Sequence, residues 1–305
     1  MDTQTCGQSS IIPNQALRGC AKKRSVSYDE LVRPLRPWSW QAIRWGMLAR
    51  LARAVSPLSE GMRIGYRYGF DSGEMLDYVY ENRARGRWGI GILLDRAHLN
   101  AIGWRGIRQR KIHLQTMLCE AIGQLRTGGR PLHLVDVAAG PGRYLLEVLR
   151  EVGSDSLTAT LRDWDATGLE HGRALATQLG VSAVRYERGD AFDPQDLARI
   201  TPKPHIVIVS GLYELFPENA LIRRSLGGIY KILEPSGWLI YTNQPTHPQL
   251  ELIARCLPNR EGKPWLMRLR PQEEMDGLVR EAGFCPYKTL RDRWGLFTVS
   301  AAKKL

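Results

Sequence analysis

Residues 132–145 hold the strongest structural signal in this chain, a glycine turn between a strand pattern and a helix pattern. An apolar run, residues 132–138, ends in an Ala-Gly-Pro-Gly sequence, after which apolar residues recur at helical spacing. Because Gly140 and Gly142 carry no Cβ, the backbone there can approach a ligand closely. A helix that begins at such a turn also directs free N–H groups at that ligand. The rest of the chain is therefore interpreted as strand–helix units built around this turn.

From residue 132 onward, predicted strands and helices alternate. Strands are predicted at residues 132–138, 157–163, 182–187, 204–210, 237–243, 285–291 and 295–302. Helices are predicted at residues 142–152, 166–179, 219–233, 248–257 and 271–282. Alternating units of this kind predict a parallel sheet that is covered on both faces and binds ligands at the C-terminal ends of its strands. A turn at Trp294 and Gly295 predicts an antiparallel hairpin at the end of the chain.

The N-terminal part is predicted to be a polar mobile leader, residues 1–25, followed by a helical cap, residues 26–125, on an α/β domain, residues 126–305. Residues 38–55 are predicted to form a helix. Its apolar stripe contains Trp40, Ile43, Met47, Leu48, Leu51, Ala54 and Val55. The preferred interpretation is a helix packed on the main domain, and the alternative is a basic amphipathic helix that lies on a membrane surface.

Composition narrows the class of protein only a little. The 305 residues carry a formal net charge of +12, which nucleic acid, anionic lipid or an acidic substrate could each exploit. Five scattered cysteines form no C-x-x-C pair, so no metal site is predicted. The first residues lack the order of a signal peptide, and no apolar run approaches the roughly 18 residues of a membrane span. The predicted location is the cytoplasm.

Chemistry-bearing segments follow four successive predicted strands, at the edge where such sheets bind ligands. The second strand ends in an acidic cluster whose Asp163 lies about 20 residues after Gly142, a distance at which a carboxylate can bind both hydroxyls of a ribose. After the third strand, Asp190 could accept an adenine amino group. The predicted cofactor-binding residues are Asp136, Ala138, Gly140, Pro141, Gly142, Tyr144, Asp163, Trp164, Asp190, Ala191, Phe192, Ser210, Gly211 and Leu212.

The ligand predicted for this edge is a nucleoside-bearing cofactor without a phosphate. A dinucleotide site would have a third glycine after Gly142, and a P-loop would have Gly-Lys-Ser/Thr. Neither pattern follows the turn.

Residues 132–302 resemble the class I S-adenosylmethionine-dependent methyltransferases. The glycine motif of that family corresponds to residues 136–142, its ribose-binding acid to Asp163, and its adenine segment to residues 189–192. Ala138 stands where the family often has a glycine. The resemblance implies a Rossmann-like α/β fold with a seven-stranded, mostly parallel sheet and a C-terminal antiparallel hairpin. It also implies S-adenosylmethionine as cofactor, with S-adenosylhomocysteine as its product.

A narrower resemblance extends from about residue 61 to residue 302. It connects the chain with a bacterial group of methyltransferases that are sometimes fused to an α/β-hydrolase. The matching segments are residues 103–110, 210–215, 241–249 and 294–300. The sequence contains no G-x-S-x-G motif, so no hydrolase half is expected within these residues. This resemblance indicates the cofactor but not the acceptor.

Methyl transfer requires an acceptor held against the methyl group and, where the acceptor starts protonated, a base. The candidate catalytic residues are His247, Glu214 and Tyr213, with His247 first because its ordinary pKa suits a base near neutral pH. Acceptor binding is predicted for Tyr66, Tyr68, Asn243 and Gln244. Packing, capping or hydrogen bonding to neighbours remains the alternative for these side chains.

The predicted function is methyl transfer from S-adenosylmethionine to an oxygen or nitrogen of a small-molecule acceptor. One alternative is transfer to a lipid or lipid-like acceptor at a membrane, with peripheral contact through residues 38–55. Another is a binding or scaffold protein that keeps the fold without catalysis. A nucleic-acid partner is not expected, because no Asn/Asp-Pro-Pro-Tyr/Phe sequence follows the fourth strand. The oligomeric state stays open.

Overall fold

The structure, a computed structural model, describes residues 26–126, 131–153 and 156–305, so the predicted leader lies outside the described residues. Seven strands form one sheet. They are β1 (Leu132–Asp136), β2 (Leu157–Asp163), β3 (Val184–Arg188), β4 (Ile206–Val209), β5 (Trp238–Asn243), β6 (Phe284–Arg291) and β7 (Thr298–Lys304). Their order across the sheet is β3-β2-β1-β4-β5-β7-β6. The predicted seven-stranded α/β sheet is confirmed.

Strand direction also follows the prediction. The strands β1 to β5 pair in parallel, whereas β7 is antiparallel to both β5 and β6. Every residue of β1, β4 and β5 is buried, as expected for strands covered on both faces. Because β1 and β4 are neighbours whose connections leave in opposite directions across the sheet, a crevice opens at their C-terminal ends.

Twelve α-helices lie in the described residues. Those before the sheet are α1 (Tyr28–Val32), α2 (Trp40–Val55), α3 (Glu60–Tyr68), α4 (Gly73–Glu81), α5 (Trp88–Leu99) and α6 (Ile102–Leu125). The others are α7 (Arg143–Val152), α8 (Ala166–Leu179), α9 (Pro194–Leu197), α10 (Asn219–Ile232), α11 (Leu250–Cys256) and α12 (Gln272–Glu281). Serine caps begin α2, α3 and α4 by accepting backbone N–H groups.

Helix α6 shares its apolar core with the sheet. Leu114, Met117 and Leu118 of this helix are fully buried in the same cluster as Leu132 and Leu134 of β1. The region predicted as a cap, residues 26–125, is therefore packed against the sheet through α6. The division of the chain into domains at residue 126 stays a prediction.

Helix α2 is present as predicted and packs on the main domain through α11, although most of its apolar stripe faces outward. Trp40 is 74% exposed and Leu51 is 60% exposed, whereas Trp45 on the other side of the helix is buried. The inward side is made largely of alanines, which let α2 pack closely against α11. The stripe follows helical periodicity, and periodicity does not tell which side of a helix faces the protein.

Candidate active site

A cavity of about 490 Å³ lies at the C-terminal ends of β1 to β4 and is called the first cavity. The residues predicted to bind a cofactor line this cavity, with the exception of Asp136. Four separate strand ends therefore meet around one space, as the parallel sheet requires.

The glycine turn between β1 and α7 has left-handed backbone, with φ of +51° at Gly140 and +74° at Gly142. A Cβ on Gly142 would lie 2.0 Å from Leu161 Cδ2, so a side chain there would displace the buried Leu161 side chain of β2. A Cβ on Gly140 would lie 3.2 Å from the Cα of Gly73, the first residue of α4. The N-terminal region thus meets the turn backbone to backbone, a contact that the sequence analysis missed.

Asp163 connects the end of β2 with the glycine turn. Its Oδ2 accepts the Gly140 N–H at 2.8 Å, and its Oδ1 accepts the Asp165 N–H at 2.9 Å. Each carboxylate oxygen has two lone pairs, so each can accept one further hydrogen bond from a ligand. These backbone bonds fix the orientation of the carboxylate at the cavity wall.

Asp136 supports the turn from below and does not line the first cavity, which corrects its predicted contact with the cofactor. The carboxylate is fully buried, accepts the Ala138 N–H at 3.1 Å and accepts the Tyr144 hydroxyl. Burial raises the pKa of Asp136 to about 7, because a buried carboxylate loses the solvation of its charge. Tyr144, in turn, joins α7 to β1 and also lines the cavity.

Asp136→Asn is expected to change the pH dependence of stability. A carboxyl whose pKa is raised on folding stabilises the folded state while protonated, and this stabilisation is lost as the pH rises towards its folded pKa of about 7. Buried His98 and His247 have pKa values lowered to about 4, which gives a slope of opposite sign, so the comparison must be between variant and wild type. We expect the free energy of unfolding of the variant, minus that of wild type, to increase from pH of about 4 to pH of about 7. Denaturant unfolding across this range measures the difference, and a constant difference would contradict the buried, proton-binding Asp136.

Two further parts complete the wall of the first cavity. One comes from Asp71, Asp77 and Tyr80 around α4, and the other from Arg260 and its neighbours after α11. The Arg260 N–H donates to Asp71 Oδ1 at 2.7 Å, and Arg260 Nε lies 3.5 Å from Asp71 Oδ2. This contact joins the two parts across the mouth of the cavity. Residues so far apart in sequence leave no local pattern that could have revealed it.

A second cavity of about 270 Å³ adjoins the first. Asp71, Leu76, Gly211 and Leu215 line both cavities and form the wall between them. The second cavity is otherwise enclosed mainly by apolar side chains, which include Met62, Trp104, Ile107, Leu252, Met267 and Phe297. Its walls come from the N-terminal helices and from the segments that follow β4, β5 and α11.

Several side chains that line the second cavity carry a buried polar atom without a hydrogen-bond partner in the described part of the chain. These atoms are His98 Nε2, Arg110 Nε, Glu214 Oε2, Gln244 Nε2 and Trp265 Nε1. Buried polar groups are nearly always paired in folded proteins, because an unpaired one costs about 1–3 kcal/mol. A cluster of unpaired groups in one apolar cavity indicates a ligand that completes them.

A buried ion pair lies at the junction of the cavities. Arg110 Nη1 is 3.3 Å from Glu214 Oε1, and the two side chains are 2% and 6% exposed. A Cβ on Gly211 would lie 3.2 Å from Arg110 Nη2, so the glycine makes room for the guanidinium. The sequence favoured a solvated helix face for Arg105, Arg108 and Arg110, with pairing of one of them to the methionyl carboxylate as the alternative. The structure instead buries Arg110 against Glu214.

His247, Glu214 and Gln244 are brought together around the second cavity. His247 Nδ1 accepts the Gln249 N–H at 3.1 Å, so the neutral ring carries its proton on Nε2. Burial lowers the pKa of His247 to about 4, which keeps the ring neutral near pH 7. In this state His247 is a hydrogen-bond donor at Nε2, and its only lone pair is already in use.

Tyr213 lies in the protein core. Its hydroxyl is 2.9 Å from Ser225 Oγ, and its ring belongs to the apolar cluster on the other face of the sheet. Its side chain lines neither of the two cavities. The hydroxyl is therefore not placed to meet an acceptor, contrary to the predicted catalytic role.

The predicted acceptor-binding residues also separate in the structure. Gln244 lines the second cavity, but Asn243 donates to the Arg270 carbonyl at 3.0 Å and lines neither cavity. Tyr66 packs edge-on against Phe70 within the N-terminal region, and Tyr68 packs against His171 of α8. For Asn243, Tyr66 and Tyr68, the packing alternative fits their positions.

Comparison with known proteins supports this arrangement of the strand ends. A family model described as "Putative methyltransferase" matches residues 14–304. The chain belongs to this methyltransferase family. With the seven-stranded sheet, this confirms the predicted recognition of a class I S-adenosylmethionine-dependent methyltransferase. The predicted hydrolase fusion in related proteins stays a prediction.

The chain is similar to one further protein in sequence and to two solved structures in fold. "Uncharacterized protein YnbC" of Escherichia coli (strain K12) is 50% identical over 246 residues, which are 80% of this chain and 42% of that protein. The chain thus spans less than half the length of this relative. A possible exported protein from Bordetella parapertussis has a TM-score of 0.63 and 17% identity, covering 89% of this chain and 99% of that one. Magnesium protoporphyrin IX methyltransferase (ChlM) from Synechocystis PCC 6803, with bound SAH, has a TM-score of 0.51 and 14% identity, covering 78% and 98%. Both structural likenesses concern the fold.

Two further properties apply to the described residues only. None of their helices combines the length and apolar character needed to cross a membrane. No group of three or more His, Cys, Asp or Glu side chains among them could hold a metal ion. The cytoplasmic location stays a prediction.

Proposed function

We propose that the protein transfers a methyl group from S-adenosylmethionine to an oxygen or nitrogen of a largely apolar small molecule. The observation that carries this proposal is the junction of the two cavities, which share a wall at Asp71, Leu76, Gly211 and Leu215. The first cavity suits the cofactor and the second suits the acceptor. Their shared wall would bring the two reactants next to each other, as methyl transfer requires.

The chemistry of the first cavity fits S-adenosylmethionine. Asp71, Asp77, Asp163 and Asp190 line it, and a ligand with a sulfonium, an ammonium, ribose hydroxyls and an adenine amino group suits such carboxylates. Phe192 adds apolar surface for the adenine base of the cofactor. When bound, S-adenosylmethionine supplies an already activated methyl group. The protein's own residues then need only bind, orient and deprotonate the acceptor.

Glu214 is the side chain best placed to take the acceptor's proton. Its side chain lines the second cavity, and its buried Oε2 has no hydrogen-bond partner in the described residues. Arg110 holds the other oxygen and offsets the negative charge, so the carboxylate is kept in position. We assign the general base to Glu214 in place of His247, whose unprotonated nitrogen already accepts the Gln249 N–H.

The unpaired donors describe the acceptor more closely. Gln244 Nε2 and Trp265 Nε1 are N–H groups, so they need acceptor atoms on the ligand. An apolar molecule with two or more oxygens, such as a substituted phenol, would satisfy them while its ring or chain fills the apolar walls. This description favours an oxygen as the methylated atom.

The direct experiment is transfer of tritium from methyl-labelled S-adenosylmethionine to a panel of phenols, aromatic amines and aliphatic alcohols, followed by extraction into organic solvent. We expect label to enter at least one apolar phenol and to depend on native protein. Bound S-adenosylhomocysteine without any labelled product would favour the scaffold alternative. Label in water-soluble amines alone would contradict the apolar acceptor while keeping the cofactor site.

His247→Ala is expected to lower turnover by less than about tenfold, because the side chain serves as a hydrogen-bond donor and packs in the cavity wall. The best acceptor of the panel provides the assay, and calorimetry with S-adenosylhomocysteine checks that cofactor affinity is unchanged. A loss on the order of 10²–10⁴-fold would restore His247 as the base and would contradict the assignment to Glu214.

A further inference from the structure

The outward side of α2 is an exposed apolar surface, which we call the α2 face. It consists of Trp40, Ile43, Met47, Leu51 and Ala54. These residues recur every three or four positions, so they form one continuous stripe along the helix. Among them Ile43 is 41% exposed and Met47 is 53% exposed. Trp38, just before the helix, is 90% exposed.

The α2 face is not needed to hold the helix on the protein. The opposite side packs through buried Trp45 and the half-buried Ala42, Ala49 and Ala52. Large apolar side chains that point outward from an already packed helix form a contiguous patch, and such patches mark a contact with a partner or a membrane.

The charges beside the α2 face select among partners. Arg44 and Arg50 lie on α2 beside the face, the helix contains no acidic residue, and the chain has a net charge of +12. Two copies packed through this face about a two-fold axis would bring arginines against arginines, which is unfavourable. An anionic lipid surface offers both an apolar layer for the stripe and negative charge for the arginines.

Helix α2 also forms part of the wall of the second cavity. Leu48, which is 36% exposed, and Ala52 on the inward side of the helix are part of the lining of that cavity. A surface that contacted the α2 face would therefore lie beside an apolar space of about 270 Å³.

We propose that the α2 face docks on an anionic lipid surface and that the acceptor reaches the second cavity from the lipid layer. The entry route rests on the proposed function, because it takes the second cavity as the acceptor site. The docking does not, since it depends only on the exposed stripe and its arginines. The two parts can therefore fail separately.

Co-sedimentation of the full chain with vesicles tests the docking without any methyl transfer. One set of vesicles contains equal parts phosphatidylcholine and phosphatidylglycerol, and the other contains phosphatidylcholine alone. We expect binding to the anionic vesicles and much weaker binding to the neutral ones. Leu51→Gln should lower the partition coefficient about tenfold, and Trp40→Gln combined with Leu51→Gln should abolish binding. Ile112→Gln is the matched control, because Ile112 is 58% exposed on α6, outside the α2 face, and this variant should bind like wild type.

The contrary outcomes are defined in the same assay. Equal loss in Leu51→Gln and Ile112→Gln, or no sedimentation of wild type with anionic vesicles, would overturn the docking. A lipid-free dimer that Leu51→Gln converts to monomer, without vesicle binding, would assign the face to a second copy instead. The entry route is tested with an acceptor dissolved in the vesicles. If the protein binds the vesicles but its methylation rate does not depend on them, only the entry route would be overturned.

Discussion

Replacing Glu214 by glutamine is expected to lower methyl transfer on the order of 10²–10⁴-fold, while the dissociation constant of S-adenosylhomocysteine stays within about twofold. The glutamine amide keeps an oxygen that can accept a hydrogen bond from Arg110, but it cannot take a proton from the methyl acceptor. Glu214 lines the second cavity and not the first, so cofactor affinity should be nearly insensitive to the change. Turnover with the best acceptor of the panel and calorimetry measure the two effects.

A control is needed because Glu214→Gln leaves the buried Arg110 charge without a full counter-charge, which can lower stability. Thermal unfolding of the variant shows whether it is folded at the assay temperature. Glu218→Gln removes an exposed carboxylate four residues away and should leave turnover unchanged. A folded Glu214→Gln variant with wild-type turnover would remove Glu214 from the mechanism.

Asp163→Ala is expected to weaken the binding of S-adenosylhomocysteine on the order of 10²–10⁴-fold. Two charge-assisted hydrogen bonds to ribose hydroxyls, at about 1.5–3 kcal/mol each, together correspond to this loss. The affinity of Asp163→Asn for S-adenosylhomocysteine should lie between those of Asp163→Ala and wild type, because asparagine keeps one acceptor oxygen in the same place. Calorimetric titration at equal protein concentration gives the three dissociation constants.

Part of the loss in Asp163→Ala could arise from the glycine turn, since Asp163 also accepts the N–H groups of Gly140 and Asp165. Asp193→Ala provides the matched control. Asp193 likewise accepts a backbone N–H, that of Gln195 at the start of α9, but lies outside both cavities. The affinity of Asp193→Ala for S-adenosylhomocysteine should equal that of wild type. Unchanged affinity in Asp163→Ala would refute the assignment of Asp163 to the ribose.

The first cavity was largely predictable from sequence because its parts are local. Each strand end carries its own short signal, as at Gly140, Asp163 and Asp190, and the parallel sheet then brings those ends to one edge. Asp136 was misassigned because it belongs to the same motif but its side chain is directed to Tyr144 and the buried side of the turn. The seven strands were predicted for the same reason, from alternation along the chain.

The second cavity was predicted only in part. Glu214, Gln244 and His247 were expected at the acceptor site and line it, but the contacts between distant segments that complete the site left no local pattern. Arg110 of α6 meets Glu214 after β4, and Arg260 meets Asp71, with more than a hundred residues between the members of each pair. The orientation of the α2 stripe also could not be predicted from the sequence. Its periodicity was clear in the sequence, but the side that faces the protein depends on which residues fit against α11, and the alanines fit better than Trp40 or Leu51.

A crystal structure of the protein with S-adenosylhomocysteine tests the central claim most directly, because it locates the cofactor relative to both cavities. The account predicts the ribose at Asp163, the adenine between Asp190 and Phe192, and the thioether sulfur facing the wall of Asp71, Leu76, Gly211 and Leu215. The sulfur would then open towards the second cavity and Glu214. A thioether sulfur directed away from that wall, or a nucleoside bound outside the first cavity, would contradict the account.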